Sequence, residues 1–301
     1  MNNLEPANQT KLYGLDRYFK ELVRLKTANV YPNKILFSGQ KGLGKSTLSY
    51  HFINYILSKD EEFPYDTDNF EINPKNHSFK TILNRSNPNL ILIDIDSDKK
   101  FIDINQIRQL ISNLNKSSFN NKPRYVLIDN LELLNLNSLN ALLKITEEPS
   151  LNVFFILIKN NKKIQPTLLS RCINYKISLS KDENLSIANK LLDNKLGEII
   201  NSDLMNHYLT AGNIFKIVKF AKENEYDISS LNLKEFLKIL IKNNHYKKNE
   251  SIKYLIYDFV EFYFRKVNKI LSSNIYDKYV YFLKRISDTR RFNLDEESLF
   301  I

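Results

Sequence analysis

Apolar residues recur along this 301-residue chain in two periods, and only one of them persists to the end. Up to about residue 178, short unbroken apolar runs alternate with stretches in which apolar positions return every three or four residues. Beyond it only the second pattern remains, which predicts strands and helices first and helices alone afterwards. Leu15, Tyr18, Phe19, Leu22 and Leu25 share one helical face ahead of a short apolar strand at 35–38. Leu48, Phe52, Ile53, Ile56 and Leu57 mark the core side of the helix that follows. Residues 58–88 turn polar, with Pro64, Pro74 and Pro88, and read as a surface excursion carrying one helix at 79–84. Leu90 to Ile93 are continuously apolar, the pattern of a strand buried on both faces of a parallel sheet. Ile104, Ile107, Leu110, Ile111 and Leu114 then recur at helical spacing. Residues 125–129, YVLID, give a third strand, Leu139, Leu142 and Leu143 a helix that stops at Pro149, and residues 153–158 a fourth strand. A short helix at 166–169 ends in Ser170, Arg171 and Cys172.

Strands alternating with helices predict a parallel sheet with flanking helices, an α/β module. Residues 179–226 read as a small helical domain, with Leu185, Ile187, Ala188, Leu191 and Leu192 on one helix and Ile214, Ile217, Val218 and Phe220 on another. Residues 227–301 are helical again, and their aromatics, Phe236, Phe259, Phe262 and Tyr263 among them, follow core spacing rather than the scatter of a base-stacking surface. Three domains are therefore expected: 1–178, 179–226 and 227–301.

Between the first strand and its helix the chain reads GQKGLGKS, which fits G-x-x-x-x-G-K-[ST] at every fixed position. Gly39, Gly42 and Gly44 are three of only six glycines in the chain. Glycine lets successive backbone N–H groups converge on an anion, and the helix beginning near Lys45 turns its positive end to the same place. Gly39, Gln40, Lys41, Gly42, Leu43, Gly44, Lys45, Ser46 and Thr47 form the expected phosphate loop, for ATP or ADP. Lys45 would reach the β- and γ-phosphates and the Ser46 hydroxyl would ligate Mg2+. Asp129, at the carboxyl end of a neighbouring strand, is the second magnesium residue expected.

A glutamate that polarises the attacking water normally follows such a carboxylate; here Asn130 follows. An amide orients water but takes no proton, so intrinsic hydrolysis is expected to be weaker by ~10²-fold or more. Glu132 stands two residues on as an alternative carboxylate. Ile158, Lys159 and Asn160 all stand where a γ-phosphate-sensing group would come at the end of the fourth strand. Leu12, Tyr13 and Gly14 precede the first helix, either as backbone and apolar contacts for a nucleotide base or as a plain lead-in.

Composition narrows the context. The 44 Lys and Arg against 34 Asp and Glu give a net charge of +10, which permits an acidic or nucleic-acid partner, but the charges are interspersed rather than clustered. One cysteine, Cys172, excludes an internal disulfide and a multi-cysteine zinc site, and fits a reducing cytoplasm. The four histidines show no ligand spacing. No leading signal and no apolar run of ~18 residues is read, so no membrane role is expected.

Several separated blocks together resemble the bacterial clamp-loader AAA+ subunits, and within that family the delta-prime branch. They are NQTKLYGLD, GQKGLGKSTLSYHF, NPNLILID, FIDINQIRQL, YVLIDNLELLNLNSLNALLKITEEPS and PTLLSRC, with FNLDEE from Phe292 to Glu297 near the end. The resemblance covers nearly the whole chain, and LNALLKITEEPS followed by SRC is its most specific pair. It implies an AAA+ module, a helical lid and an all-α collar in a hetero-pentameric ring with gamma/tau and delta subunits, loading a sliding clamp on primed DNA in the cytoplasmic replisome. It implies that Arg171 acts in trans as an arginine finger on nucleotide held by a neighbouring subunit, with Ser170 and Cys172 orienting it.

The chain departs from the motor members of the family in two ways: Asn130, and Phe215 where a lid arginine often stands. The four-cysteine zinc module of some relatives is absent. The competing readings are a gamma/tau-like ATPase motor, whose turnover would depend on Lys45 and Asp129, and a P-loop small-molecule kinase, in which Arg171 would act in cis.

Overall fold

The computed structural model describes residues 4–95, 99, 101–116, 120–147, 152–160, 164–205, 209–248, 250–268 and 273–292. Pro149, the end of the LNALLKITEEPS block from residue 148, and the FNLDEE block beyond Phe292 lie outside the described residues. The chain divides into two compact units, Met1–Ile187 with Thr210–Gly212, and Ala188–Leu209 with Asn213–Ile301.

The first unit opens with a 3₁₀ turn at Pro6–Asn8, then α1 (Asp16–Thr27), β1 (Lys34–Ser38), α2 (Lys45–Leu57) and α3 (His77–Leu83). It continues with β2 (Leu90–Ile93), α4 (Ile104–Leu114), β3 (Arg124–Ile128), a 3₁₀ turn at Leu131–Leu133, α5 (Leu136–Glu147), β4 (Val153–Lys159), α6 (Pro166–Leu169), β5 (Ile173–Lys176) and α7 (Lys181–Leu192). The five strands form one sheet in the order β2-β3-β4-β1-β5, every pairing parallel.

Alternation along each strand divides the apolar side chains between two cores. Ile35, Phe37, Tyr125, Leu127, Ile156 and Ile158 pack with Phe19 and Leu22 of α1 and Leu48 and Phe52 of α2. Leu36, Val126, Ile128, Phe155 and Leu157 pack with Ile107 and Leu110 of α4 and Leu139 and Leu142 of α5. Each of these buried side chains contributes roughly 1.5–3 kcal/mol of transfer free energy, so the central strands are the fixed frame on which the loops are hung.

Two strands differ from the sequence expectation. β2 is an edge strand that pairs with β3 alone, and only Ile93 is buried in it, so its continuous apolar run does not mark a strand covered on both faces. β5 closes the other edge and carries no apolar run at all: Ile173 is 53% exposed. Its register comes from backbone pairing with β1, which leaves no hydrophobic signature.

α2 is covered on more sides than its apolar face predicts, since Lys45, Ser49, His51 and Asn54 are buried with Leu48 and Phe52. Each of these four side chains has a partner. His51 meets the Tyr65 hydroxyl at 2.9 Å and the Gln9 carbonyl at 3.0 Å, and Asn54 donates to Asn76 Oδ1 at 3.2 Å.

The second unit is helical among its described residues. The carboxyl end of α7 leads to α8 (Leu196–Ile199), a 3₁₀ turn at Ser202–Leu204, α9 (Ala211–Glu223), α10 (Leu233–Lys242), α11 (His245–Lys248), α12 (Glu250–Asn268) and α13 (Ser273–Phe292). Asn232 and Glu235 close a capping box at the start of α10. Phe236 and Phe259 are buried edge to face at 5.9 Å, the core role expected of these aromatics.

Candidate functional site

Residues 39–44 leave the carboxyl end of β1 as a loop, and α2 starts at Lys45 directly after it. Gly44, the N-cap of α2, is left-handed at φ +83. Gly39 lies at φ +150, and a Cβ there would collide with the Ile177 carbonyl oxygen. Only glycine serves at both positions. No side chain caps α2 and no acidic residue occupies its first turn, so the helix itself brings no counter-charge to its positive end.

The Lys45 side chain, 4% exposed as a residue, lies back over the loop. Its Nζ donates to the Gly39 carbonyl at 3.0 Å, the Gln40 carbonyl at 2.6 Å and Asn160 Oδ1 at 3.0 Å. Burial pulls its pKa down to about 8, with Asp129 and Glu132 acting in the opposite sense. The Ser46 hydroxyl donates to the Asp129 carboxylate. Burial pushes the Asp129 carboxyl above the usual range; the Ser46 hydrogen bond opposes that shift and the nearby Asp94 adds to it.

Neighbouring strands supply the rest. Asn160, the residue after β4, accepts from Lys45 and donates through Nδ2 to Glu132 Oε1 at 2.8 Å and Asn130 Oδ1 at 3.2 Å. Asn130 donates in turn to Asp94 Oδ1 at 2.8 Å and stands in the left-handed region at φ +52, which asparagine tolerates. Of the three residues at the end of β4, Ile158 is buried in the core and Asn160 is the one whose side chain touches Lys45. Both Glu132 oxygens are occupied by Asn160, the backbone N–H donating to Oε2 at 3.1 Å.

Two further features escape the sequence reading. Thr210 donates its hydroxyl to the Lys41 carbonyl at 2.9 Å, and the Gly212 N–H donates to the Gly42 carbonyl at 3.1 Å, so 210–212 strap the loop from outside. The one available sign was a glycine opening a helical pattern. Gly14 is left-handed at φ +69 beneath the Ile187 side chain, and Tyr13 beside it is half-buried. Thr47 is half-buried in the first turn of α2, Lys41 is exposed and Leu43 is buried.

Arg171 is not brought to this cluster. β5 pairs with β1 from Ile173 opposite Ile35 to Lys176 opposite Ser38. Arg171 therefore lies at the amino edge of the sheet, whereas the phosphate loop leaves its carboxyl edge. Its guanidinium donates to the Thr167 carbonyl and to Glu147 Oε1, both at 2.7 Å. Ser170 and Cys172 do not hold it. The Ser170 hydroxyl turns to Thr167, and Cys172 packs into the second core, where burial pushes its thiol up to about 11. Phe215 is buried, 3% exposed.

A family model described as DNA polymerase III, delta subunit, matches residues 14–181. The chain belongs to this family. Among curated relatives, the DNA polymerase III subunit delta' of Buchnera aphidicola subsp. Schizaphis graminum is 26% identical over 273 residues, covering 84% of this chain and 78% of its own. The gamma/tau subunit of Mycoplasma genitalium is 26% identical over 82% of this chain, which spans only 37% of that longer relative. A solved DNA polymerase III gamma-subunit-related protein from Thermotoga maritima superposes with a TM-score of 0.51 at 19% identity, covering 92% of this chain and 95% of its own. The fold of this DNA polymerase III family member is an α/β module, a parallel sheet with flanking helices, followed by helices.

The residues present fit a magnesium nucleotide. A hydroxyl and a carboxylate, Ser46 and Asp129, are hard oxygen donors of the kind magnesium takes alongside phosphate oxygens and water. A divalent cation there would relieve a carboxylate that burial and Asp94 leave poorly compensated. The glycine loop and the uncapped start of α2 suit an anion of several charges.

Proposed function

We propose that this chain is a delta-prime-like subunit of the DNA polymerase III clamp loader. It binds ATP or ADP with Mg2+ at residues 39–47, using Lys45 for the phosphates and Ser46 and Asp129 for the metal, with Tyr13 and Gly14 beside the base. It takes a place in a hetero-pentameric ring with gamma/tau and delta subunits in the cytoplasm, which loads the sliding clamp on primed DNA. Residues 1–178 form the nucleotide module, 179–226 the lid and 227–301 the collar.

The observation that carries this reading is the placement of Arg171 at the sheet edge opposite its own phosphate loop. A finger there can serve a neighbour's nucleotide and is badly placed for its own. That also counts against the kinase reading, which needs Arg171 in cis. A motor of the gamma/tau type is disfavoured by Asn130 in place of a base and by Glu132, whose oxygens are both committed to Asn160. When bound, the metal supplies charge neutralisation at the phosphates; the chain's own residues bind, orient and, through Arg171, stabilise charge elsewhere in the ring.

The test is ATP turnover by the reconstituted loader with clamp and primed DNA, native against Arg171→Ala. A fall of ~10³-fold or more with ring assembly unchanged by native mass supports the trans finger. Unchanged turnover removes it.

A further inference from the structure

Glu132 sits on the 3₁₀ turn Leu131–Leu133, one step outside the loop, metal and strand-end positions that the site reading uses. The turn is rigidly placed. Leu131 is 2% exposed, the Leu133 N–H donates to the Asn130 carbonyl at 2.8 Å, and the Leu133 carbonyl accepts from Ile102 at 2.9 Å. From that base the carboxylate takes both the backbone N–H and the side-chain Nδ2 of Asn160.

An asparagine side chain has an oxygen and a nitrogen of nearly equal shape, so packing cannot choose between its two orientations; the surrounding charges must. In the observed orientation Nδ2 faces two acceptors, Glu132 Oε1 and Asn130 Oδ1, while Oδ1 faces the Lys45 ammonium. Reversal would set Oδ1 against those two acceptors and the NH2 group against an ammonium that accepts nothing. The carboxylate contributes most to this preference, because a charged acceptor makes a stronger bond than a neutral one.

We propose that Glu132 is a positioning residue that acts through Asn160: it fixes the amide so that Oδ1 steadies Lys45 in the phosphate loop. The proposal rests on the nucleotide reading of that loop. Its sign separates it from a simple charge effect. Removing a carboxylate beside a phosphate site strengthens anion binding on charge alone, whereas releasing the Asn160 amide weakens it.

The experiment uses the 15N-labelled full chain, native, Glu132→Gln, Glu132→Asp, Asn160→Ala and the Glu132→Gln/Asn160→Ala double variant. The Asn160→Ala spectrum identifies the Asn160 side-chain NH2 signals, and hydrogen exchange of those protons is followed without nucleotide. Binding of ADP and of ATPγS with Mg2+ is then titrated. Glu132→Gln is expected to speed the exchange by about tenfold, the scale of one lost charge-assisted bond, and to weaken binding of both nucleotides about fivefold. Glu132→Asp, which keeps the charge on a shorter stem, covers the case in which the glutamine variant fails to fold, and is expected to show the same direction. In the Asn160→Ala background the Glu132 change no longer weakens binding. Native-like exchange with unchanged or tighter binding in Glu132→Gln overturns the proposal. If the native chain binds neither nucleotide, the nucleotide reading falls, and native-like exchange in Glu132→Gln still overturns the clamp by itself.

Discussion

The backbone N–H of Gly212 donates to the carbonyl of Gly42 at 3.1 Å, an approach so close that a Cβ on Gly212 would lie 2.9 Å from both the Gly42 Cα and its oxygen. Helical glycines ordinarily gain about 0.5–1 kcal/mol when replaced by alanine. Gly197 in α8, with nothing within 4 Å of an added Cβ, is the matched control. Gly197→Ala is expected to raise the unfolding midpoint. Gly212→Ala is expected to lower stability by about 1–3 kcal/mol, because backbone on both sides must shift, and to weaken ADP binding. Urea unfolding of the two variants checks the contrast; two stabilised variants would mean that the strap gives way freely.

His51 is buried between an acceptor and a hydroxyl, which fixes its tautomer. The Gln9 carbonyl only accepts, so Nε2 carries the proton and Nδ1 accepts from the Tyr65 hydroxyl. Burial holds the pKa near 4 against 6.5 for the free side chain, so between those values the unfolded chain binds a proton that the folded one refuses. Stability is then level above pH 6.5 and falls as pH drops through 6.5 to 4, by on the order of 3 kcal/mol from this residue. His51→Gln keeps a donor and an acceptor without titrating. The difference between native and variant stability, measured from pH 7.5 to 4.5, should therefore shrink or reverse toward acid; parallel curves would place the acid sensitivity elsewhere.

Arg171 and Glu147 form a pair at 2.7 Å with side chains 33% and 55% exposed. Exposed pairs contribute about 0–1 kcal/mol. Arg171→Ala should leave the unfolding free energy of the chain within about 0.5 kcal/mol of native, measured by urea titration. A larger loss would make Arg171 a structural residue and would confound any fall in turnover of the assembled loader.

What could be read from the sequence follows from how each feature is encoded. The central strands and the helices over them rest on apolar periodicity, and Ile35, Leu48, Val126 and Phe155 are buried as that pattern requires. The loop was legible because left-handed backbone demands glycine, and Gly44 is left-handed. β5 was not, since an exposed edge strand is specified by backbone pairing. Nor were the straps and clamps around the site. Gly212 on Gly42, Thr210 on Lys41 and Glu132 on Asn160 are one or two hydrogen bonds each, between segments 28 to 170 residues apart, with no local pattern to announce them. The Arg171 partners were missed for the same reason: Glu147 reaches it from the end of another helix.

Asn130 offers the sharpest test of why this site should turn over slowly. If the missing carboxylate limits hydrolysis, Asn130→Glu should raise the intrinsic rate by up to ~10²-fold. The position resists the change. At φ +52 a longer side chain costs about 1–2 kcal/mol, and the bond that Asn130 donates to Asp94 is lost, since a carboxylate has no N–H to give. The new carboxylate also stands by Asp94 and an Asp129 whose carboxyl is already raised, so protonation of the group becomes easier. The nucleotide-free variant should therefore be less stable than native by about 2–4 kcal/mol, with part of the loss recovered when ADP and Mg2+ are added. Steady-state ATP hydrolysis by the full chain, with Lys45→Ala as the blank, decides the matter. A rise that Lys45→Ala abolishes assigns the slow rate to Asn130. A rate that stays at the native level, with nucleotide demonstrably bound, shifts the cause to the committed Glu132 carboxylate or to a finger that only a neighbouring subunit can supply.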